Sequence, residues 1–263
     1  MADAWFADKI APDSAKDDGC HPQEAEVLKS YLRGTIPTAS EAARAITLPI
    51  ESETNPIAEV PRLWALLIDA LTDLPASYQA SKKQPSQSRT QALWRELIGF
   101  GHLWADLHHT GQWRRLIKTC SQAERDAFRK DIQNNAAIEA RLLVAQLGAI
   151  PLSWGYECIC DALEKSNAAL DMEVAAAAEW LRVAGKRIYG EIGERETNYA
   201  LASSRDLWKG GEKMSEERWM FWKERLRSVA KKGELGEGTR DAAKEAIETM
   251  EAAEDDTSTF PGT

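Results

Sequence analysis

No part of this sequence is apolar for long. The longest stretch without a charge, Leu142 to Tyr156, is interrupted by Pro151 and two glycines. It falls short of the roughly 20 residues that a membrane-spanning helix needs. The opening residues, Met1-Ala2-Asp3-Ala4-Trp5, show no basic start followed by an apolar core, so no signal peptide is expected. Cysteine is scarce: Cys20, Cys120, Cys158 and Cys160 follow no disulfide spacing. A chain of 263 residues buries enough core to dispense with such staples. Free thiols, with no Asn-x-Ser/Thr sequon, suit a reducing compartment, and the expected location is cytoplasmic.

Positive charge is in deficit as well. Lys and Arg number 33 against 42 Asp and Glu, a formal charge of −9. A nucleic-acid binder needs a basic face to release counterions, so the balance argues against nucleic acid as a partner. Local basic clusters at Arg114, Arg115 and Lys118, and at Arg225, Arg227, Lys231 and Lys232, read more simply as charges complementing helix C-termini. Catalytic signatures are missing too. There is no phosphate loop, no G-x-G-x-x-G, no G-x-S-x-G, no H-E-x-x-H and no D-D-x-x-D run. No cofactor or metal is therefore expected.

What the sequence does have is tryptophan, ten in all, and helical periodicity almost throughout. Residues 1–22 read as a flexible arm in which Trp5 and Phe6 are free to dock. Residues 23–252 read as one helical domain, and residues 253–263 as a disordered acidic tail. Val27, Leu28, Tyr31 and Leu32 form a stripe stopped by Gly34. Thr38 with Glu41 opens a short helix that Pro49 ends. Pro61 to Leu74 is apolar nearly all round and belongs in the core. Residues 80–90 are a polar loop, and Leu93 to His109 is helical with a break at Gly99 and Gly101. Ser121 with Glu124 caps a helix running to Leu147, with Gly148 as its C-cap. Further helices start at Pro151, Asp171, Ser215 and Thr239, the last ending near Met250. No strand-like alternation occurs. The fold class is all-α, about eight or nine packed helices with short loops.

Several stretches resemble a known family. They are Ala177-Ala-Glu-Trp-Leu-Arg-Val-Ala-Gly-Lys-Arg-Ile-Tyr189, Leu207-Trp-Lys-Gly210, Ser215-Glu-Glu-Arg-Trp-Met-Phe-Trp-Lys-Glu-Arg225, and Thr239-Arg240 through Ala246 to Met250. Looser matches are Leu32-Arg-Gly34, Ala42-Ala43 and Leu63-Trp64-Ala-Leu-Leu. Together, over residues 23–250, they are similar to the mostly fungal, uncharacterised all-helical family catalogued as domain of unknown function 3632. Gly99 to Gln112, rich in His and Trp, departs from that pattern. The resemblance implies an all-helical domain of fungal origin and supplies no catalytic residues.

Two constellations invite chemistry. Trp219 and Trp222 share a helical face, and Arg218, Trp222 and Arg225 form an i, i+4, i+7 row beside them. The preceding loop adds Trp208 and Lys209. Aromatic faces and guanidinium groups suit a planar or anionic ligand. The competing reading makes the tryptophans core and the arginines bridges to acidic helices. In the second constellation His102 and Asp106, four apart, form a candidate acid–base pair. His109 is too far along a straight helix to share an ion with them, and the competing reading is a solvated helix end. Cys158 and Cys160, two apart, do not face each other on a helix and read as packing.

The sequence thus favours a non-catalytic helical binding or scaffold protein with a Trp/Arg-lined groove around residues 208–225. Its partner would be a protein or an aromatic or anionic small molecule. The alternative is a small-molecule enzyme of fungal specialised metabolism with a tryptophan-lined pocket.

Overall fold

Apolar residues recurring every three to four positions favour helices whose stripes must be covered by other helices. The computed structural model describes residues 2–10, 19–74, 97–109, 111–194 and 197–258. Among these the expected all-helical class is found, and the single β-type pairing is an isolated bridge between Ile10 and Cys20. By its contacts the chain divides into two compact units, Met1–Thr110 and Gly111–Thr263.

In the first unit α1 (Ala2–Lys9), α2 (Pro22–Leu32), α3 (Ala39–Glu51), α4 (Pro56–Asp73) and α5 (Phe100–His108) each pack on the next. The stretch expected to be a flexible arm thus contains a helix. Phe6 is buried, the Trp5 indole donates to Asp73 at 2.9 Å, and Lys9 pairs with Asp69 at 2.8 Å. Thr38 caps α3 as expected, accepting from the Glu41 amide. Pro49 does not end that helix, which continues to Glu51. In the last turn a proline forfeits one i→i−4 hydrogen bond while its fixed φ stays helical. α4 begins one turn earlier than the apolar run suggests, with Pro56 pre-set for its first turn. Its Trp64 donates to the Ile98 carbonyl at 2.8 Å and meets Phe100 edge-on. Gly99, at φ +80°, makes the sharp entry into α5. The polar loop at 80–90 and the start of the 93–109 segment lie outside the described residues.

The second unit holds α6 (Trp113–Leu116), α7 (Gln122–Val144), α8 (Leu152–Leu163), α9 (Leu170–Tyr189), α10 (Tyr199–Ala202), α11 (Glu216–Ala230) and α12 (Glu237–Ser258). α9 lies at the centre, covered by α7, α8 and α12. Its four consecutive alanines, Ala175 to Ala178, are all buried, so small side chains let neighbours approach from several directions. The Ser121–Glu124 capping box is present at the start of α7. That helix stops at Val144, earlier than expected. Gln146 takes the left-handed conformation (φ +56°), and the Leu147 amide returns to the Leu142 carbonyl, which closes the end before Gly148. Val144, its last residue, is exposed. α9 starts ahead of Asp171, with Ala169 at its N-cap position. α12 continues past Met250 to Ser258, because Ala253 is still buried on its inner face.

α8 and α9 meet where Gly155 lies under Trp180, which is fully buried. A Cβ on Gly155 would lie 2.7 Å from the Trp180 ring. Gly155→Ala is therefore expected to lower unfolding free energy by about 1–3 kcal/mol, as overpacking does, measured by denaturant titration. Burial and the nearby Glu24 charge push the Cys20 thiol up to about 11. In the native chain at pH 8 Cys20 should resist iodoacetamide, and labelling by mass spectrometry should appear only on unfolding.

Candidate functional site

The C-terminal end of α8 carries an electrostatic problem. Glu164 occupies its C-cap position and is fully buried. A carboxylate there meets the negative end of the helix dipole and loses its water. α11 solves this. Ser215 caps that helix by accepting from the Arg218 amide, which fixes Arg218 in its first turn. Arg218, also fully buried, then grips Glu164 in a two-pronged pair, Nε to Oε1 at 2.7 Å and a terminal nitrogen to Oε2 at 2.8 Å. One turn on, the Trp222 indole donates to Oε1 at 2.8 Å.

The two terminal nitrogens have further acceptors. They reach the Leu201 carbonyl at 3.1 Å, the Gly211 carbonyl at 3.4 Å and the Cys160 sulfur at 3.7 Å. Burial opposes the Arg218 charge, but the hydrogen bonds to Glu164 and the neighbouring Cys160 outweigh it, so Arg218 holds its proton more tightly than a free arginine. Burial and the Glu164 charge push the Cys160 thiol well up, which leaves it a packing residue and a weak acceptor.

The remaining residues of the expected groove surround this pair. Trp208 is half-buried, its ring centre 5.4 Å from the Arg218 guanidinium and 5.3 Å from Phe221, with its indole donating to the Gly211 carbonyl. Gly210 is glycine of necessity, since a Cβ would sit 2.2 Å from the Trp208 ring. Arg225 donates to the Leu163 carbonyl at 3.1 Å, satisfying an otherwise orphaned group at the end of α8. Trp219 is buried and donates to Glu254 of α12 at 2.7 Å, a carboxylate it shares with Lys223. Lys209 is exposed. Trp208, Arg218, Trp222 and Arg225 are thus brought together, but around Glu164 rather than around an open groove.

His102 and Asp106 are both exposed on α5, and among the described residues no hydrogen bond or ion pair joins them. Also among the described residues, no cluster of three or more His, Cys, Asp or Glu side chains could hold a metal ion.

A concave site does exist elsewhere in the second unit. A cleft of about 590 Å³ opens beside the start of α9, with Arg114, Lys118, Lys165 and Arg205 in its wall together with Glu173 and Asp206. Sequence reasoning picks out Arg114 and Lys118, with Arg115, as a basic cluster that reads as charge complementing a helix C-terminus. It missed Lys165 and Arg205, which come from distant segments and carry no local pattern.

Removing one partner of a buried ion pair leaves the other charged and dry. Glu164→Ala is expected to cost about 3–5 kcal/mol of unfolding free energy. The Glu164→Leu/Arg218→Met double variant should regain most of that loss, measured by a double-mutant cycle in urea.

No curated protein and no solved structure matches the chain. A family model described as a protein of unknown function, DUF3632, matches residues 52–226. The matched stretch contains Glu164, Arg218, Trp222 and Arg225 and covers more than half the sequence, and the chain belongs to the DUF3632 family.

Proposed function

We propose that this protein is a non-catalytic binding protein whose second unit presents a small-molecule cleft on a helical scaffold. The observation that carries this reading is the division of labour in that unit. The strong donors Arg218, Trp219 and Trp222 hold helices together, each committed to a buried or half-buried carboxylate. The open cleft stands apart from them, and its volume of about 590 Å³ lies within the usual range for small-molecule sites. The Trp/Arg constellation then belongs to the scaffold and does not line the site.

Binding raises the melting temperature in proportion to ligand excess over Kd. A thermal-shift panel of anionic and aromatic metabolites on the full chain is expected to give stabilising hits that are recovered chemically unchanged. Conversion of a hit would overturn the reading in favour of an enzyme. Trp222→Ala should lose about 3–5 kcal/mol of stability with no ligand present, as truncating a buried tryptophan does. Lys209→Ala should leave stability within about 0.5 kcal/mol of the parent.

A further inference from the structure

Three cations converge on one carboxylate beside the cleft. Asp161 on α8 lies 3.1 Å from Arg114, 2.8 Å from Lys165 and 3.2 Å from Arg205. A single negative charge cannot neutralise three positive ones. Glu173 takes part of the excess, pairing with Arg114 at 2.9 Å, but its second oxygen is committed to the Ala169 amide. Asp206 is turned to the Ser166 amide, and its bonds to Ser166 hold the carboxyl below its ordinary range. Lys118, in the wall of the same cleft, forms no ion pair among the described residues. Four cations thus face three carboxylates, a local positive surplus on a chain whose formal charge is −9.

The surplus is also built to different degrees of fixity. The Arg205 side chain is nearly inaccessible, tied to Asp161 and to the Ala200 and Ser203 carbonyls. It is a fixed charge that needs no ordering on binding. Arg114 and Lys165 are each more than a third exposed, and ion pairs of that kind are individually weak. They can turn from Asp161 and Glu173 toward an incoming anion at little cost. Asn167 and Ala168, in the loop that forms part of the wall, have backbone amides that donate to no acceptor among the described residues. Backbone amides beside cations are the donors that compact oxyanions use.

We propose that this cleft binds a compact oxyanion carrying two or more negative charges, supplied by the phosphate or the polycarboxylate group of a small metabolite. The proposal rests on the binding reading above and names its ligand class. Lys118 and Lys165 supply the adjustable charges, Arg114 the forked contact, and Arg205 the fixed positive background.

The test is calorimetric titration of the full chain with inorganic pyrophosphate and, separately, with citrate, at low and raised salt. At least one anion is expected to bind with one-site stoichiometry, and the one that binds identifies the source. Affinity should fall as salt rises. Lys118→Glu and Lys165→Gln should each weaken binding about tenfold while leaving the melting temperature unchanged, because each removes a charge-assisted contact. Lys231→Glu makes the same change in net charge as Lys118→Glu on an exposed residue outside the cleft, and should weaken binding less than about twofold, as a screened remote charge does.

Equal weakening by Lys231→Glu and Lys118→Glu would overturn the site, since only overall charge would then matter. Unchanged affinity in both cleft variants would also overturn it. Failure of both anions to bind, with other panel members still stabilising the chain, would overturn the ligand class and leave the binding reading standing. A bound anion that is chemically converted would do the reverse.

Discussion

The end of α8 is the point on which the second unit turns. A buried glutamate at a helix C-terminus is unfavourable in two ways, by lost hydration and by the helix dipole. It is tolerated because α11 delivers Arg218 and Trp222 to it and Arg225 to the carbonyl just before it. The Leu207 amide closes the same end by donating to the Glu164 carbonyl. One buried charge thus fixes where α11 sits and where the 203–214 loop returns. Such a pair is weak evidence for net stability, because two apolar residues of similar volume often do as well. Its value lies in direction, since a forked pair has one good geometry and an apolar contact has many.

α9 makes the complementary contribution. Where the Glu164 pair fixes orientation, the alanines of α9 permit proximity, and Gly155 lets a full indole lie against the α8 backbone. Packing this close leaves little tolerance for added volume. The cleft lies at the margin of that packing, where the loop after α8 leads into the start of α9. Its charged side chains are therefore carried by elements whose positions are set elsewhere.

Much of the helical layout was legible because its signals are local. Ser121 with Glu124, and Ser215, each act on backbone groups within one turn, and each is found where the sequence puts it, whereas of the two glycines expected to break the 93–109 segment Gly101 lies inside α5. The misreadings have physical reasons as well. Pro49 reads as a stop, but in a last turn its missing donor costs one bond only. Gly148 reads as the C-cap of α7, yet Gln146 takes the left-handed position because the Leu142 carbonyl is already within reach of the Leu147 amide. The Trp/Arg row was visible as a pattern, whereas its meaning was not. Whether Arg218 faces a ligand or Glu164 depends on a residue 54 positions away. The convergence of Arg114, Lys165 and Arg205 on Asp161 is hidden for the same reason.

Glu254 ties the last helix back to Trp219 and Lys223. The family match stops at residue 226, short of α12. The matched stretch therefore lacks the helix that supplies this acceptor. Cut at that boundary, it would carry a lysine and an indole whose acceptor had been left behind. The fold of the matched stretch is thus completed by a helix that lies beyond it in the chain.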